Sequence, residues 1–172
     1  MTIRRLEERD LAPMLEWMHD RDVTRYLQAD FSSMTQDAAR AFIENARKQD
    51  ANSEAWHFAI TDDDDEYVGT ISLKNIDRKN GNAEYAIVTS KRAHGKGLAR
   101  RASEEILAVG FDELGLERIY LCVTTDNVPA NKLYQRLGFA EEGVWKRHLL
   151  IDGAFHDLRW YGLLKEDYRT PQ

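Results

Sequence analysis

Three places in this 172-residue chain hold residue types that can do chemistry. The first is KRAHGKGLARR at 91–101, where Lys91, Arg92, Lys96, Arg100, Arg101 and His94 surround Gly95 and Gly97 with no acid among them. The pattern reads as the entrance to a helix. A helix N-terminus already exposes unpaired N–H groups and partial positive charge, so cations there oppose helix stability unless an anion completes the site. Gly95 and Gly97 let the backbone turn tightly and bring N–H groups close to phosphate oxygens, the reading of a pyrophosphate cradle. The second place is Tyr134 in PANKLYQRLG, three residues beyond Asn131, a spacing that puts both near one helix face. Its hydroxyl is a proton donor at neutral pH; packed beside Leu133 and Leu137 it would be an ordinary core aromatic. The third is Glu84, on the strand just before the basic loop. It can act as a general base or simply face solvent.

Other chemistries find little support. The loop lacks the spacing of a phosphate-binding Gly-x-x-x-x-Gly-Lys-Ser/Thr motif and the third glycine of a dinucleotide fingerprint. Cys122 is the single cysteine, so no internal disulfide forms, and in YLCVT it reads as a small core residue. His19, His57, His94, His148 and His156 show no metal-ligand spacing, and no metal is expected. DDDDE at 62–66 reads as an exposed turn, without the glycine and alternation of a calcium loop. Trp17, Trp56, Trp145 and Trp160 read first as packing residues.

The elements that must position these groups follow from periodicity and punctuation. Residues 2–6 form a short strand. Asp10 can cap a helix to about Met18, and Thr35 a second to about Lys48 with Ala38, Ala41, Phe42 and Ala46 on one face. Strands follow near 56–60 and 68–73, then an Asn-Gly turn within 79–81, then a strand at 83–89. The basic loop opens a helix over about 97–114, which Gly115 ends. A strong strand at 118–125 precedes the helix that carries Pro129 in its first turn, Tyr134, and Gly138 at its end. Asp152-Gly153 joins two last strands, about 143–151 and 154–162. The fold class is α/β in the mixed α+β sense. One domain over 1–172 holds a central, mostly antiparallel twisted sheet flanked by about four helices.

Composition sets the boundaries. The chain is 42% hydrophobic and 31% charged, with net charge −6. That balance argues against nonspecific nucleic-acid binding. No apolar run is long enough for a bilayer, and the N-terminus lacks an apolar signal core, so a cytoplasmic protein without a membrane partner is expected. The charge is uneven: residues 1–90 hold 11 basic and 18 acidic side chains, residues 91–172 hold 13 and 12. An acidic first half suits a cationic partner.

RAHGKG at 92–97 resembles the Arg/Gln-x-x-Gly-x-Gly/Ala acetyl-CoA loop of the GNAT N-acetyltransferases. DNVPANKLYQRLGF at 126–139 is similar to that family's Asn…Asn-x-x-Tyr-x-x-x-Gly-Phe segment, at a fitting distance. WMHDRDVTRYL and HLLIDGAFHDLRWYGLLKEDY resemble the branch containing ribosomal-protein and spermidine acetyltransferases. The resemblance implies acetyl-CoA as cosubstrate and direct attack by a primary amine in a ternary complex. It implies Tyr134 as the acid that protonates the leaving thiolate, with Glu84 drawing in the ammonium and relaying its proton. Ile87, Val88 and Thr89 would offer backbone groups to the pantetheine arm. Arg92, His94, Gly95, Lys96, Gly97, Leu98 and Ala99 would meet the phosphates. Asn127 and Asn131 would bond the cofactor or orient the helix, Asn127 equally being a plain cap. A small cationic, polyamine-like amine is the slightly preferred acceptor. Alternatives are a peptide N-terminus, an amino-sugar nucleotide with Lys146 and Arg147 on its phosphates, or a non-catalytic acyl-CoA sensor. Against the spermidine enzymes, the segment YLQADFSSMTQD holds only Asp30 and Asp37, Asn75 stands where a Glu is expected, and WKRH is basic. The branch also implies a homo-oligomer.

Overall fold

The computed structural model describes residues 1–27 and 29–169. Its strands are β1 (Ile3–Arg5), β2 (Trp56–Thr61), β3 (Tyr67–Asp77), β4 (Asn82–Thr89), β5 (Arg118–Thr124), β6 (Ala140–Ile151) and β7 (Ala154–Leu164). Its helices are α1 (Leu11–Met18), α2 (Arg21–Thr24), α3 (Gln36–Arg47), α4 (Leu98–Ala108), α5 (Val128–Arg136) and α6 (Lys165–Arg169). The strands make one sheet in the order β1-β2-β3-β4-β5-β7-β6. Every neighbouring pair is antiparallel except β4 with β5. The mixed, mostly antiparallel sheet expected from the sequence is therefore present. Two of the six helices, α2 and α6, are four and five residues long, too short to leave an apolar period in the sequence.

Alternation along the strands sends side chains to two cores, one on each face. The larger core holds Ile71, Leu73, Tyr85, Ile119 and Leu121 under α4 and α5. The smaller holds Met14, Trp17, Ile43 and Tyr67 under α1 and α3. Thr35 caps α3 as expected, its Oγ1 accepting from Ala38 N at 3.1 Å. Asp10 does not cap α1. Its carboxylate accepts the Glu7 N–H at 2.8 Å and both terminal nitrogens of Arg4, at 2.8 and 2.9 Å. Asp10 is 1% exposed, so Arg4 neutralises a buried charge, and losing Arg4 would cost about 3–5 kcal/mol.

The helix expected over 97–114 changes pitch near its end. Leu114 N–H reaches back to the Val109 carbonyl at 2.9 Å, a five-residue turn over Val109–Glu113. Gly110 lies in that turn against Ile119, where a Cβ would come within 2.6 Å of Cδ1. Asp152 and Gly153 both adopt positive φ, +50° and +79°, the tight hairpin turn their types signal.

Candidate active site

The sheet splits between β4 and β5, and the split makes the site. β4 and β5 pair over three rungs only, the last being Glu84 opposite Tyr120. Beyond it, β4 from Tyr85 to Thr89 pairs only with β3, and β5 from Leu121 to Thr124 pairs only with β7. The two strands part like a V whose vertex is the Glu84–Tyr120 rung. A strand edge with unpaired N–H and C=O groups is a ready template for an extended amide chain. Gly69 on β3 supports this arm: a Cβ there would overlap the Val88 carbonyl oxygen.

The V opens into a cleft of about 910 Å³. Ile87, Val88 and Thr89 line one side, and His94, Gly95, Gly97, Leu98 and Ala99 line the end. Gly95 and Gly97 adopt φ of +74° and +70°. A Cβ on either would meet nothing within 4 Å, so conformation rather than crowding requires glycine here. Gly97 is the N-cap of α4, and no side chain caps the helix. Among the described backbone hydrogen bonds, none uses the N–H of Gly95, Gly97, Leu98 or Ala99. Open space above two left-handed glycines and a helix start without a cap fit a diphosphate.

The loop's cations are less free than its sequence suggests. Lys91 reaches Asp20 and Asp22 at 2.9 and 2.8 Å, and Arg92 reaches Glu16 at 3.1 Å. Arg100 pairs with Glu104 at 2.8 Å and Arg101 with Asp63 at 3.5 Å. Acids of the first half thus balance Lys91, Arg92 and Arg101, while Arg100 is balanced within α4. Lys96 has no acidic partner among the described residues, but neither it nor Arg92 lines the cleft.

Tyr134 enters from α5. Its ring is buried edge-on against Tyr85, Phe139 and Tyr161, with centroids 5.8 to 6.1 Å apart. The residue lines the cleft, and its hydroxyl makes no hydrogen bond to a described residue. Burial pushes the hydroxyl well above the ordinary tyrosine range, with nearby Cys122 and Tyr161 adding to the effect. It is therefore a protonated donor at any neutral pH. Cys122 is half-buried and points away from the larger core that Leu121 and Val123 join, so it is not the plain core residue its strand suggested.

Asn131 holds α5 in place. Its Nδ2 donates to the carbonyls of Thr124 and Asn127, and its Oδ1 accepts from Arg159 and Tyr161. All its hydrogen-bonding capacity goes to the protein, and it does not line the cleft. Asn127 caps α5 by accepting from Ala130 N at 3.3 Å, and it also lines the cleft. Glu84 lies at the vertex rather than in the cleft. Lys74 Nζ meets Oε1 at 3.0 Å and Asn75 Nδ2 meets Oε2 at 2.8 Å. Lys146 is tied to Asp157 at 3.0 Å, and the Arg147 guanidinium lies 4.7 Å from the Phe155 ring centre.

Asp22, Val23, Tyr26 and Leu27 also line the cleft, and they were missed as site residues. The available signal was Asp20, which caps α2 by accepting from Asp22 N at 3.0 Å. Gly69 was missed too, although glycine inside a strand pattern marks close backbone approach. Among the described residues, no cluster of His, Cys, Asp and Glu could hold a metal ion, and no helix is long and apolar enough to cross a membrane.

A strand split ending at a glycine-rich helix start, with a tyrosine hydroxyl in the gap, is the architecture of an acyl-CoA-dependent transferase. Residues 1–140 match the family described as acetyltransferase (GNAT) domain, and the chain belongs to that family. It is an acetyl-CoA-dependent acetyltransferase. An uncharacterized N-acetyltransferase p20 of Bacillus licheniformis is 31% identical over 170 residues, 98% of this chain and 94% of its own. The putative ribosomal N-acetyltransferase YdaF of Bacillus subtilis is 36% identical over 100 residues, covering 58% of this chain and 55% of that one. The crystal structure of spermidine N-acetyltransferase from Vibrio cholerae in complex with CoA and spermine superimposes with a TM-score of 0.88. It is 26% identical and covers 98% of both chains.

Proposed function

We propose that the protein transfers the acetyl group directly to a small primary amine held in a ternary complex with acetyl-CoA. The observation that carries this reading is Tyr134, which lines the cleft beyond the β4–β5 split and whose hydroxyl makes no hydrogen bond to a described residue. Acetyl-CoA supplies the electrophilic thioester and the thiolate that leaves. The backbone N–H groups of Gly95, Gly97, Leu98 and Ala99 hold the diphosphate, and the free edge from Ile87 to Thr89 holds the pantetheine amides. His94 and Asn127 complete the cleft wall. Arg92 and Lys96 lie just outside the lining and contribute long-range positive charge.

A primary amine has a pKa near ~10, so roughly one molecule in a thousand is neutral at pH 7. Glu84 draws the ammonium to the vertex and accepts its proton through water. The amine nitrogen then forms the new C–N bond as the C–S bond breaks. Tyr134 gives its proton to the departing sulfur, and the second proton that the nitrogen sheds on becoming an amide returns to the tyrosinate through water. Cys122 forms no acyl intermediate.

Initial-rate kinetics with acetyl-CoA and an amine test this. Intersecting double-reciprocal lines and a Cys122→Ala protein that keeps turnover are expected. Parallel lines, or loss of turnover in Cys122→Ala, would overturn direct transfer. Relatives named for spermidine support a cationic amine. The match to a putative ribosomal N-acetyltransferase favours a second reading, a peptide N-terminus, and short N-terminal peptides in the same assay test it. Tight acetyl-CoA binding without turnover of any amine would identify a sensor. A homo-oligomer is proposed as well, and sedimentation velocity tests it.

A further inference from the structure

The cations along the cleft are unequally committed, and the difference bears on the donor. Lys91, Arg100 and Arg136 all line it. Lys91 is held by Asp20 and Asp22, and Arg100 by Glu104. Arg136, in the last turn of α5, is exposed and makes no ion pair with a described residue. Leu133, one turn earlier, lines the cleft too, so Arg136 stands on a side of α5 that the cleft follows.

This helix repeats the oddity of the basic loop. From Asn127 to Phe139 the chain carries Lys132 and Arg136 and no acid, in a protein of net charge −6. Lys132 is exposed as well, and it also lacks an acidic partner among the described residues. Cations at this spacing share one side of a helix and repel each other. A cation in the last turn suits the helix dipole, which accounts for Arg136 but not for Lys132 beside it. An anion between the two would turn the repulsion into attraction.

The donor has such an anion to place. Its diphosphate rests on the loop and its pantetheine runs toward the vertex, so its adenosine leaves the diphosphate in the other direction, carrying a 3′-phosphomonoester. That group holds nearly two negative charges at neutral pH, and a guanidinium fork meets it with two hydrogen bonds at once. Main-chain N–H groups hold a diphosphate whatever follows it, so discrimination at the adenosine falls to side chains. Resting on the transferase reading, we infer that Arg136, assisted by Lys132, binds the 3′-phosphate of acetyl-CoA and selects it over donors that lack this phosphate.

The test is calorimetry with CoA and 3′-dephospho-CoA at low ionic strength, together with thiol release from their acetyl thioesters in the presence of spermidine or a short N-terminal peptide. The wild-type protein should bind CoA about tenfold more tightly than dephospho-CoA. Arg136→Gln should weaken CoA about five- to tenfold and leave dephospho-CoA as it was, bringing the two ligands level. Lys132→Gln should cost CoA about twofold. Arg136→Lys should keep part of the preference, because a point charge replaces the fork. Salt at roughly 0.5 M should shrink the preference in the wild type. A general disturbance of α5 would weaken both ligands alike, so equal losses in Arg136→Gln would overturn the inference. Equal wild-type affinities, or a preference that survives in Arg136→Gln, would overturn it too. In each of these cases turnover of an amine would leave the transferase reading standing. A preference lost in Arg136→Gln, with no turnover of any amine, would keep the 3′-phosphate site and overturn the transferase reading. No binding of either ligand would sink both.

Discussion

At the loop end of the cleft the chain presents main-chain N–H groups. At the vertex it presents side chains. The loop end is built from one continuous stretch, Gly95 to Ala99, on a single helix start. The vertex is assembled from β3, β4, β5 and α5, which deliver Lys74, Glu84, Tyr120 and Tyr134. A backbone cradle recognises a group common to every donor of its class and tolerates changes in the side chains around it. A side-chain assembly decides which chemistry follows and on which acceptor. Mutations should therefore divide into affinity effects at one end and turnover effects at the other.

The largest effect belongs to the vertex. Tyr134→Phe should lower kcat by about a hundredfold or more while leaving the acetyl-CoA Kd unchanged by calorimetry. Because burial raises the hydroxyl above its ordinary range, Tyr134 stays protonated as pH climbs through 9. No alkaline fall in kcat below that point should come from it, and the Phe variant's pH profile should keep the wild-type shape. A wild-type rate from Tyr134→Phe would dissolve the division between the two ends.

Next in size is the loop. Gly97→Val forces a β-branched residue into φ of +70°, a conformation costing about 1–3 kcal/mol, and places a side chain in the open cradle. The Kd for acetyl-CoA should rise about tenfold or more, with kcat at saturation close to wild type. A fall in kcat with Kd held would mean that the loop sets chemistry rather than affinity. Glu84→Gln should show the reverse signature to Gly97→Val. We expect kcat/KM for the amine to drop about tenfold and acetyl-CoA binding to stay as it was. A Lys74→Met and Glu84→Gln double variant separates loss of the base from stranding of Lys74.

Legibility in the sequence followed the same division. The cradle could be read because both glycines, the cations and the helix start are contiguous, and positive φ at glycine is a local property. Sheet order was accessible only as mixed and mostly antiparallel, since no local signal says that β7 rather than β6 inserts beside β5. Tyr134 stood out through the resemblance of its segment, and its spacing from Asn131 could not show that Asn131 spends all four of its bonds on the protein. Asp10 looked like a cap because it precedes an apolar period; Arg4, brought alongside by β1, claims it instead. Long-range ion pairs from the α1–α2 segment to the loop leave no pattern in either segment. The α2 wall of the cleft was announced only by its cap, Asp20, which marks a helix start but not what that helix faces.

Those pairs give the smallest effect and the one with the least intuitive sign. Lys91 is bound by Asp22 and Asp20, which hold its ammonium pKa above the usual lysine range, and Asp20 is held below the usual carboxylate range chiefly by Lys91. Asp22 lines the cleft, so its charge is felt by any diphosphate on the loop. Removing it through Asp22→Asn frees half of Lys91's coordination and deletes a repulsive anion. Acetyl-CoA affinity should therefore increase, by about two- to threefold at low ionic strength, as suits exposed charges. Raising salt to roughly 0.5 M shortens the screening length to a few ångströms and should erase the gain. Lys91→Ala alone should weaken binding by a similar factor, because it leaves both carboxylates uncompensated beside the cradle. Should Asp22→Asn weaken binding instead, the ion pair would be holding the loop in shape, and the cradle would depend on side chains after all.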